Sequence, residues 1–319
     1  MVAIPVLSTL DGQASSSRSI SKALLFARSS IAALSGLVVQ SDPGSSLTYP
    51  TSLTRDIVPK NIHSHNDYWR QVPLLDALSY GCKSFEADIH LVGSGNDTEL
   101  LVGHKTVSLS HARSLKSLYL DPLEQIIDLQ NPSTSLATNG SANGVYDFDP
   151  AQTVQFLLDY KTDGPELHGA VLAELEHFRS RDLLTSYDAS TGDWTVRPVT
   201  VVCTGNCPVD LVRAQQPRYV FYDAPLAEID SVEYGGEVAP LASTSLRRMF
   251  GTLGSLDLDG DRLVEIRRLV SVAHSKGIKT RFWETPGWPS FKRDSTWRTL
   301  LDNGVDWINA DNLQAASKL

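Results

Sequence analysis

Short apolar runs alternate with segments of helical periodicity from about residue 57 to residue 319. Most runs are rich in Val, Ile, Leu or aromatic residues, which is typical of strands buried on both faces of a parallel sheet. We predict seven strands, at Ile57–His63, Ser84–Leu91, Val154–Tyr160, Val199–Cys203, Tyr219–Tyr222, Thr280–Trp283 and Trp307–Asn309. An eighth is expected between Pro240 and Phe250. The alternation predicts βα units around a parallel sheet, and hence an α/β fold.

Two helices are the clearest by pattern. Over Arg262–Lys276 apolar residues recur at three- and four-residue steps, and Gly277 follows as a stop signal. A shorter helix is predicted over Leu74–Tyr80. The stretch from about residue 105 to residue 149 is rich in Ser and Asn, so we expect a long loop there that could cover a site.

The first 56 residues differ from the rest of the chain. They are rich in Ser, and an apolar run over residues 23–39 is interrupted by Arg28. This composition fits a secretory signal or membrane anchor, a mitochondrial presequence, or an arm without a targeting role. The stretch after Asp42 is rich in Pro, Gly and Ser and is typical of a linker. We therefore predict an N-terminal targeting or linker segment, residues 1–56, and one folded domain, residues 57–319.

Charge and cysteine content narrow the class of protein. With 28 Lys and Arg against 37 Asp and Glu the formal charge is −9, so we expect no nucleic acid partner. Three cysteines exclude a disulfide scaffold. The close pair Cys203 and Cys207 and the glycosylation sequons at Asn96 and Asn139 favour a secretory or membrane-anchored protein over a mitochondrial one.

Polar side chains gather at the predicted carboxyl ends of strands, where a parallel barrel carries its active site. The first strand ends in a cluster that contains His63, His65 and Asn66. In the next strand Glu86 and Asp88 lie two residues apart and so point to the same face. Two carboxylates on one face repel each other unless the face is solvated or a cation lies between them. Oxygen ligands suit Mg²⁺ or Ca²⁺, so we expect a metal site here.

Later segments add candidate residues. The run Glu99–His104 follows a predicted hairpin turn that returns His104 to the carboxylates. Asp159 and Lys161 share one face and could form an ion pair, or serve as a metal ligand and a phosphate-binding cation. The remaining candidates for the mouth are Arg281, Trp283, Glu284, Asp311, Asp223 and Ser243. The histidines expected to be structural or on the surface are His90, His111, His168, His177 and His274.

The ordered motifs resemble those of phospholipase-C-like phosphodiesterases, the superfamily of glycerophosphodiester phosphodiesterases and sphingomyelinase D. The motifs are HSHNDYWR, FEADIHL, ELLVGH, FLLDYKT, TRFWETP and GVDWINADN. They are most similar to a branch that includes the fungal altered inheritance of mitochondria protein 6. The resemblance spans about residues 57–313 and implies a (β/α)₈ TIM-type barrel with a single catalytic domain and one metal ion. That ion would be Mg²⁺, with Ca²⁺ or Mn²⁺ as alternatives.

The same resemblance, carried over residue by residue, implies roles for the candidate side chains. The metal ligands would be Glu86, Asp88 and Asp159, and the catalytic acid and base His63 and His104. The substrate-binding residues, some matched to the family and some placed beside the site, are Lys161, His65, Asn66, Trp283 and Arg281. One departure is Ser64, which stands where glycerophosphodiesterases carry an arginine.

We therefore expect a metal-dependent phosphodiesterase that acts on a phosphodiester such as a (lyso)phospholipid, a sphingolipid or a glycerophosphodiester. Catalysis by two histidines could pass through a cyclic phosphate, and the protein could contact a membrane surface peripherally. Two alternatives stay open. One is a zinc-dependent hydrolase of the amidohydrolase type that uses His63 and His65. The other is a noncatalytic metal-binding barrel.

Overall fold

The structure, a computed structural model, describes residues 51–133, 140–251 and 258–319. Its strands are β1 (Lys60–Ser64), β2 (Cys82–Val92), β3 (Glu99–Val102), β4 (Val154–Tyr160), β5 (Ser186–Asp188), β6 (Asp193–Thr195), β7 (Val199–Gly205), β8 (Val220–Pro225), β9 (Leu241–Ser245), β10 (Lys279–Trp283) and β11 (Trp307–Ala310). Eight of them pair in parallel in the order β1-β2-β4-β7-β8-β9-β10-β11, and β11 pairs back with β1. The fold is therefore a closed (β/α)₈ TIM-type barrel, as predicted.

Helices follow most barrel strands and cover the outside of the barrel. The α-helices are α1 (Leu75–Ser79), α2 (Asp121–Gln130), α3 (Gly164–Glu174), α4 (Glu176–Ser180), α5 (Val209–Ala214), α6 (Leu246–Phe250), α7 (Gly260–Ser275), α8 (Ser290–Asp302) and α9 (Leu313–Ala316). Single 3₁₀ turns lie at Asp67–Trp69, Gly95–Asp97 and Thr106–Ser108, a longer 3₁₀ segment kinked at Glu228 lies at Leu226–Ser231, and a π-helical turn lies at Lys116–Leu120. Both predicted helices are present, as α1 and α7.

All eight predicted strands are present, with shifted ends. β1 begins at Lys60 rather than at Ile57, and the eighth strand is β9. The prediction of a loop over residues 105–149 was wrong, because α2 and the π-helical turn lie in this stretch. The apolar residues Tyr119, Leu123 and Ile126 are buried there against the barrel, and that burial stabilises the helical structure. The Ser and Asn residues around it led to the prediction of a loop.

Two apolar layers hold the strands in place. Outside the barrel, Phe85, Tyr119 and Phe156 form an aromatic cluster with ring centroids 5.0–5.9 Å apart. Inside, an apolar layer fills the barrel with side chains of alternate strand positions. Its members, called the inner layer below, are Leu157, Val202, Phe221, Leu241 and Trp307. Polar residues on the same strands therefore lie above and below a closed core.

The segment before β1 contacts the stretch between α2 and β4. The Thr54 hydroxyl donates to the carbonyl of Val145 at 2.6 Å. The boundary at residues 56 and 57 stays a prediction, and the apolar run 23–39 lies outside the described residues, as does the sequon asparagine Asn139. In the part of the chain that the structure describes, no helix is long and apolar enough to cross a membrane. A disulfide joins Cys203 and Cys207.

Candidate active site

Three carboxylates meet inside the barrel near the carboxyl ends of neighbouring strands. β2 pairs with β4 in a register that sets Asp88 beside Asp159, and Glu86 lies two residues before Asp88 on the same face. Ligand oxygens of all three side chains lie within 4.8 Å of one another. Within the described ranges, no other group of three His, Cys, Asp or Glu side chains comes this close. The zinc alternative thus finds no histidine-containing metal group there.

The chemistry of this carboxylate cluster fits a hard cation. Glu86 and Asp88 are buried, and Asp88 Oδ1 has no hydrogen-bond partner among the described residues. Burial, reinforced by the charges of Glu86 and Asp159, raises the pKa of Asp88 to about 7. A buried carboxylate oxygen without a partner is costly unless a donor or a cation satisfies it. A donor set made only of oxygens suits Mg²⁺, Ca²⁺ or Mn²⁺ better than a thiolate-seeking metal.

Lys161 is the cation that the chain itself brings to the cluster. Its ammonium donates to Asp159 Oδ2 at 2.5 Å and lies 3.0 Å from Asp88 Oδ2. Burial alone would lower the pKa of Lys161, but the charges and hydrogen bonds of the two carboxylates outweigh it and raise the pKa. One ammonium therefore faces three carboxylates, so the cluster keeps an excess of negative charge.

His63 lies in the wall of β1 and is fully buried. Its Nδ1 is 2.7 Å from Ser84 Oγ, which also accepts a hydrogen bond from Gln155 Nε2 at 3.0 Å. Its Nε2 has no hydrogen-bond partner and lies 3.6 Å from Glu86 Oε2. Burial and the charge of Arg281 lower the pKa of His63 to about 3, so the ring is neutral at physiological pH.

His65 and Asn66 follow β1 and lie close to the carboxylate of Glu86. His65 Nδ1 lies 2.8 Å from Asp311 Oδ1, and its Nε2 lies 3.9 Å from Glu86 Oε2. Asn66 adopts a left-handed conformation with φ 47°, which Asn tolerates better than most residues. Its backbone N–H donates to Glu86 Oε2 at 2.9 Å. The main-chain hydrogen bond from Asn66 thus orients Glu86, a candidate metal ligand.

Tyr68 belongs to the site although the sequence pattern did not single it out. Its hydroxyl lies 2.8 Å from Asp88 Oδ2 and 2.6 Å from Asn66 Oδ1, so it can donate to either oxygen. A signal was present in the sequence, because Tyr68 directly follows the polar cluster at the end of β1. Ser84 was detectable too, since it precedes Glu86 by two residues and so shares its face.

β3 brings His104 back to the level of the carboxylates. β3 pairs antiparallel with the end of β2, and the N–H of Gly103 donates to the carbonyl of Asp88 at 3.0 Å. The side chain of His104 is exposed, and its ring centroid lies 5.5 Å from that of Trp69. The hairpin prediction is confirmed, and one candidate histidine is buried while the other faces solvent.

Arg281 is anchored within the barrel. Its guanidinium donates to Ser243 Oγ at 2.9 Å, to Asn309 Oδ1 at 3.2 Å and to Asp223 Oδ2 at 3.4 Å. Asp223 Oδ1 is buried and lacks a partner among the described side chains. Burial raises the pKa of Asp223, which the charge of Arg281 opposes. Two of the other candidates for the mouth, Asp223 and Ser243, therefore contact Arg281.

Trp283 ends β10 and is half-buried. The guanidinium carbon of Arg248 lies 5.9 Å from the centroid of its ring. The next residue, Glu284, has φ 52° and accepts hydrogen bonds from Ser245 and Arg247. These contacts fix the loop after β10, whereas a substrate-binding role of Trp283 stays a prediction.

The five histidines that were expected to be structural or exposed lie in structural or surface environments. His90 is buried and its Nε2 lies 2.8 Å from the carbonyl of Gly103, and His168 lies between Tyr160 and Gln215. The other three are exposed or partly exposed and each lies next to a carboxylate: His111, His177 and His274. The structure thus gives each of them a structural or surface environment, as predicted.

The described residues thus combine a closed parallel barrel with a carboxylate cluster and histidines near the ends of its first strands. The model of the AIM6-like phosphodiesterase domain matches residues 51–223, and the chain belongs to this family. The altered inheritance of mitochondria protein 6 homolog of Arthroderma benhamiae is 37% identical over 292 residues, which is 89% of this chain and 91% of the relative.

Two further relatives carry the name altered inheritance of mitochondria protein 6. The Eremothecium gossypii protein is 37% identical over 291 residues, 87% of this chain and 73% of the relative. The Saccharomyces cerevisiae protein is 33% identical over 290 residues, 84% of this chain and 72% of the relative. The predicted resemblance is confirmed, and it extends past the carboxyl end of the family model.

Proposed function

We propose that this protein is a metal-dependent phosphodiesterase that uses Mg²⁺ and acts on a phosphodiester of the lysophospholipid, sphingolipid or glycerophosphodiester kind. The observation that carries the proposal is the carboxylate cluster of Glu86, Asp88 and Asp159 next to Lys161, in a chain whose family has a phosphodiesterase domain. Phosphodiester cleavage requires stabilisation of the charge that develops on the nonbridging oxygens, and cations at this place supply it.

Glu86, Asp88 and Asp159 are the residues that would hold the ion. When bound, Mg²⁺ supplies Lewis-acid neutralisation of the phosphate charge. Lys161 adds a fixed ammonium on the same side, held by two of these carboxylates. Tyr68 and the backbone N–H of Asn66 keep Asp88 and Glu86 oriented through hydrogen bonds. Such support limits the rotation of the ligands and so preorganises the site.

His63 and His104 act as base and acid in this proposal. With Nδ1 of His63 donating to Ser84 Oγ, the lone pair of Nε2 is free to accept a proton from the attacking hydroxyl or water. The carboxylate of Glu86, 3.6 Å away, would stabilise the protonated ring. The exposed His104 would protonate the leaving group. Where the substrate carries a hydroxyl next to the phosphate, that hydroxyl is the proposed nucleophile and the product is a cyclic phosphate.

Exposed aromatic side chains support a lipid substrate and peripheral contact with a lipid surface. Trp69 follows β1 and is 65% exposed, and Trp288 and Phe291 follow β10 and are 82% and 71% exposed. Since β1 and β10 both flank β11, their loops lie on one arc at the carboxyl end of the barrel. Aromatic residues placed in this way favour the interface between water and lipid.

The test is phosphorus NMR of the full-length protein with lysophosphatidylcholine, sphingomyelin and glycerophosphocholine, each with Mg²⁺ and with EDTA. We expect a new phosphorus signal only with Mg²⁺, and its chemical shift distinguishes a cyclic from an open phosphate. Glu86→Gln should abolish the signal, because Gln has nearly the same shape as Glu but lacks the charge that a metal ligand needs. The matched control is Glu265→Gln, on α7 far from the carboxylate cluster.

Three results would contradict the proposal. Turnover that is unchanged in EDTA and in Glu86→Gln would remove the metal-dependent mechanism. Calorimetric binding of Mg²⁺ that Glu86→Gln abolishes, without turnover of any of the three substrates, would favour the noncatalytic barrel. Zinc-restored hydrolysis of an amide or ester would instead favour the amidohydrolase alternative.

A further inference from the structure

A cavity of about 620 Å³ opens at the end of the barrel opposite to the carboxylate cluster. Its wall includes Asn61, Gln155, Thr200 and Lys279, each the first or second residue of its strand. On β4, Leu157 of the inner layer lies between Gln155 and Asp159 on the same face. The inner layer therefore separates this basal cavity from the candidate active site.

Two lysines in the wall of the basal cavity, Lys83 and Lys279, form no ion pair with any described residue. Within the described residues, neither Lys83 nor Lys279 has a carboxylate at ion-pair distance or a hydrogen-bond acceptor for its ammonium. Lys279 Nζ lies 5.9 Å from the centroid of the Trp307 ring. Burial and the charge of Lys279 lower the pKa of Lys83, and the charge of Asp149 opposes this shift without cancelling it.

The other charged groups of the wall are already engaged. Lys276 donates to the carbonyls of Ile229 and Val232. Glu237 accepts a hydrogen bond from the N–H of Gly235 at 2.9 Å. The basal cavity thus has an excess of positive charge in a chain whose formal charge is −9. An anion bound there would relieve the repulsion between Lys83 and Lys279.

The rim of the basal cavity is aromatic and apolar. The β5–β6 hairpin carries Trp194 at the mouth, where its ring stacks on Phe221 of the inner layer at 5.0 Å and lies 5.2 Å from Tyr187. Trp194 and Val196 remain 43% and 54% exposed. Exposed apolar side chains around a concave site are typical of ligand-binding pockets.

We propose that the basal cavity binds a small amphiphilic organic anion, with its charged group at Lys83 and Lys279 and its apolar body against Trp194 and Trp307. In TIM barrels the catalytic residues lie at the carboxyl-terminal end of the strands, which is the end opposite to the basal cavity. The inner layer lies between the basal cavity and the carboxylate cluster, and the two regions are linked only indirectly, through the hydrogen bonds of Gln155 to Ser84 and of Ser84 to His63 among the described residues. The basal cavity is therefore proposed as a separate binding site, and its occupation does not require a functional active site.

The test is a fluorescence titration of the full-length protein with anilinonaphthalene sulfonate, an aromatic sulfonate that is bright in apolar surroundings. We expect saturable binding that weakens about tenfold or more in Lys83→Gln/Lys279→Gln, because a charge-assisted hydrogen bond is lost at each position. Lys83→Arg/Lys279→Arg should keep the affinity near that of the native protein. Thermal unfolding of each variant reports whether it is folded.

The control removes the same charge elsewhere, as Lys116→Gln/Lys318→Gln on the exposed surface. Decanoate should displace the probe, whereas inorganic phosphate at equal concentration should not, because phosphate lacks the apolar body. Equal affinity in the native protein and the folded Lys83→Gln/Lys279→Gln variant would overturn the proposal. Equal weakening in the control variant, or displacement by phosphate as strong as that by decanoate, would overturn it as well.

Discussion

At the scale of single residues, the site combines buried polar atoms that lack partners with groups that hold their neighbours in place. Asp88 Oδ1 and His63 Nε2 are buried without a hydrogen bond, which costs stability in a folded protein. Other polar atoms of the site have partners. His63 Nδ1 bonds with Ser84 Oγ, Asp88 Oδ2 accepts from Tyr68, and Glu86 Oε2 accepts from the N–H of Asn66. Such unpaired atoms are expected where a ligand or a reacting group supplies the missing partner.

Replacement of His104 separates catalysis from folding, because its side chain is exposed. We expect His104→Asn to lower the rate of phosphodiester cleavage about 10²–10⁴-fold, the usual contribution of a general acid or base. The free energy of unfolding should change little, since a surface substitution removes few contacts. The measurement is the initial rate with Mg²⁺ beside a urea unfolding curve. His111→Asn, on the exposed surface after β3, serves as the control, and full activity of His104→Asn would remove its assigned role.

Several of these residues were predictable from sequence and others were not. The shared face of Glu86 and Asp88 follows from alternation along a strand, because side chains two residues apart must share a face. Asp159 was assigned as a third ligand from the family resemblance. The complete burial of His63 did not follow, since it depends on how β1 packs against β2 and β11. Tyr68 was missed because an aromatic residue in a turn gives no periodic signal.

At the scale of elements, strand register decides which polar residues meet. The parallel pairing of β2 with β4 aligns Asp88 with Asp159, and the antiparallel β3 returns the chain to Asp88 through the N–H of Gly103. A register shift of one residue would point these carboxylates out of the barrel. The carboxylate cluster is thus a property of paired elements as much as of individual side chains.

The start of α3 offers a test of how local capping supports a helix on the barrel. Asp163 is the N-cap of α3, and its Oδ1 accepts from the N–H of Glu166 at 3.2 Å. We expect Asp163→Ala to lower the free energy of unfolding by about 1 kcal/mol, whereas Asp163→Asn, which can still accept, should lose less. Urea unfolding of both variants measures the difference. Equal losses would show that the cap contributes through charge rather than through the hydrogen bond.

Elements with strong periodicity were the most predictable. α7 was recognised from its apolar stripe, and the barrel strands from their apolar composition. α2 was missed because its stretch is bordered by Ser- and Asn-rich segments that indicate a loop. Its helical state depends on the burial of Leu123, Ile126 and Ile127 against the barrel, which is a tertiary effect.

At the scale of the whole molecule, the closed barrel separates two polar ends by one apolar core. The inner layer lies between the carboxylate cluster and the basal cavity, and helices cover the outer face of the strands. Buried polar residues in the outer shell join the elements to one another. His168 of α3 is one of them, since it links β4 through Tyr160 and the segment after α5 through Gln215.

His168 makes stability depend on pH. Gln215 Oε1 accepts from the N–H of Tyr219, so its amide nitrogen donates to His168 Nε2 at 2.7 Å, and His168 Nδ1 donates to the Tyr160 hydroxyl. Burial lowers the pKa of His168 below its ordinary value of 6.5. As the pH falls through 6.5 the unfolded chain takes up a proton that the folded chain does not, so this contribution to stability is full above pH 6.5 and decreases below it.

The measurement is the melting temperature between pH 8 and pH 5 for the native protein, His168→Gln and the exposed-site control His177→Gln. Native protein and control should lose stability with a steeper slope below pH 6.5 than His168→Gln. Parallel curves for all three proteins would mean that His168 takes up protons equally in both states.

The sequence by itself determined the class of fold and the identity of the polar side chains, because alternation along a strand and the order of motifs are local properties. Tertiary structure decided which of these side chains meet and which are buried. Glu86 and Asp159 are far apart in the chain and lie together only because β2 and β4 pair. The basal cavity left no trace in the motifs, since Lys83 and Lys279 come from opposite ends of the domain and share a space only when the barrel closes.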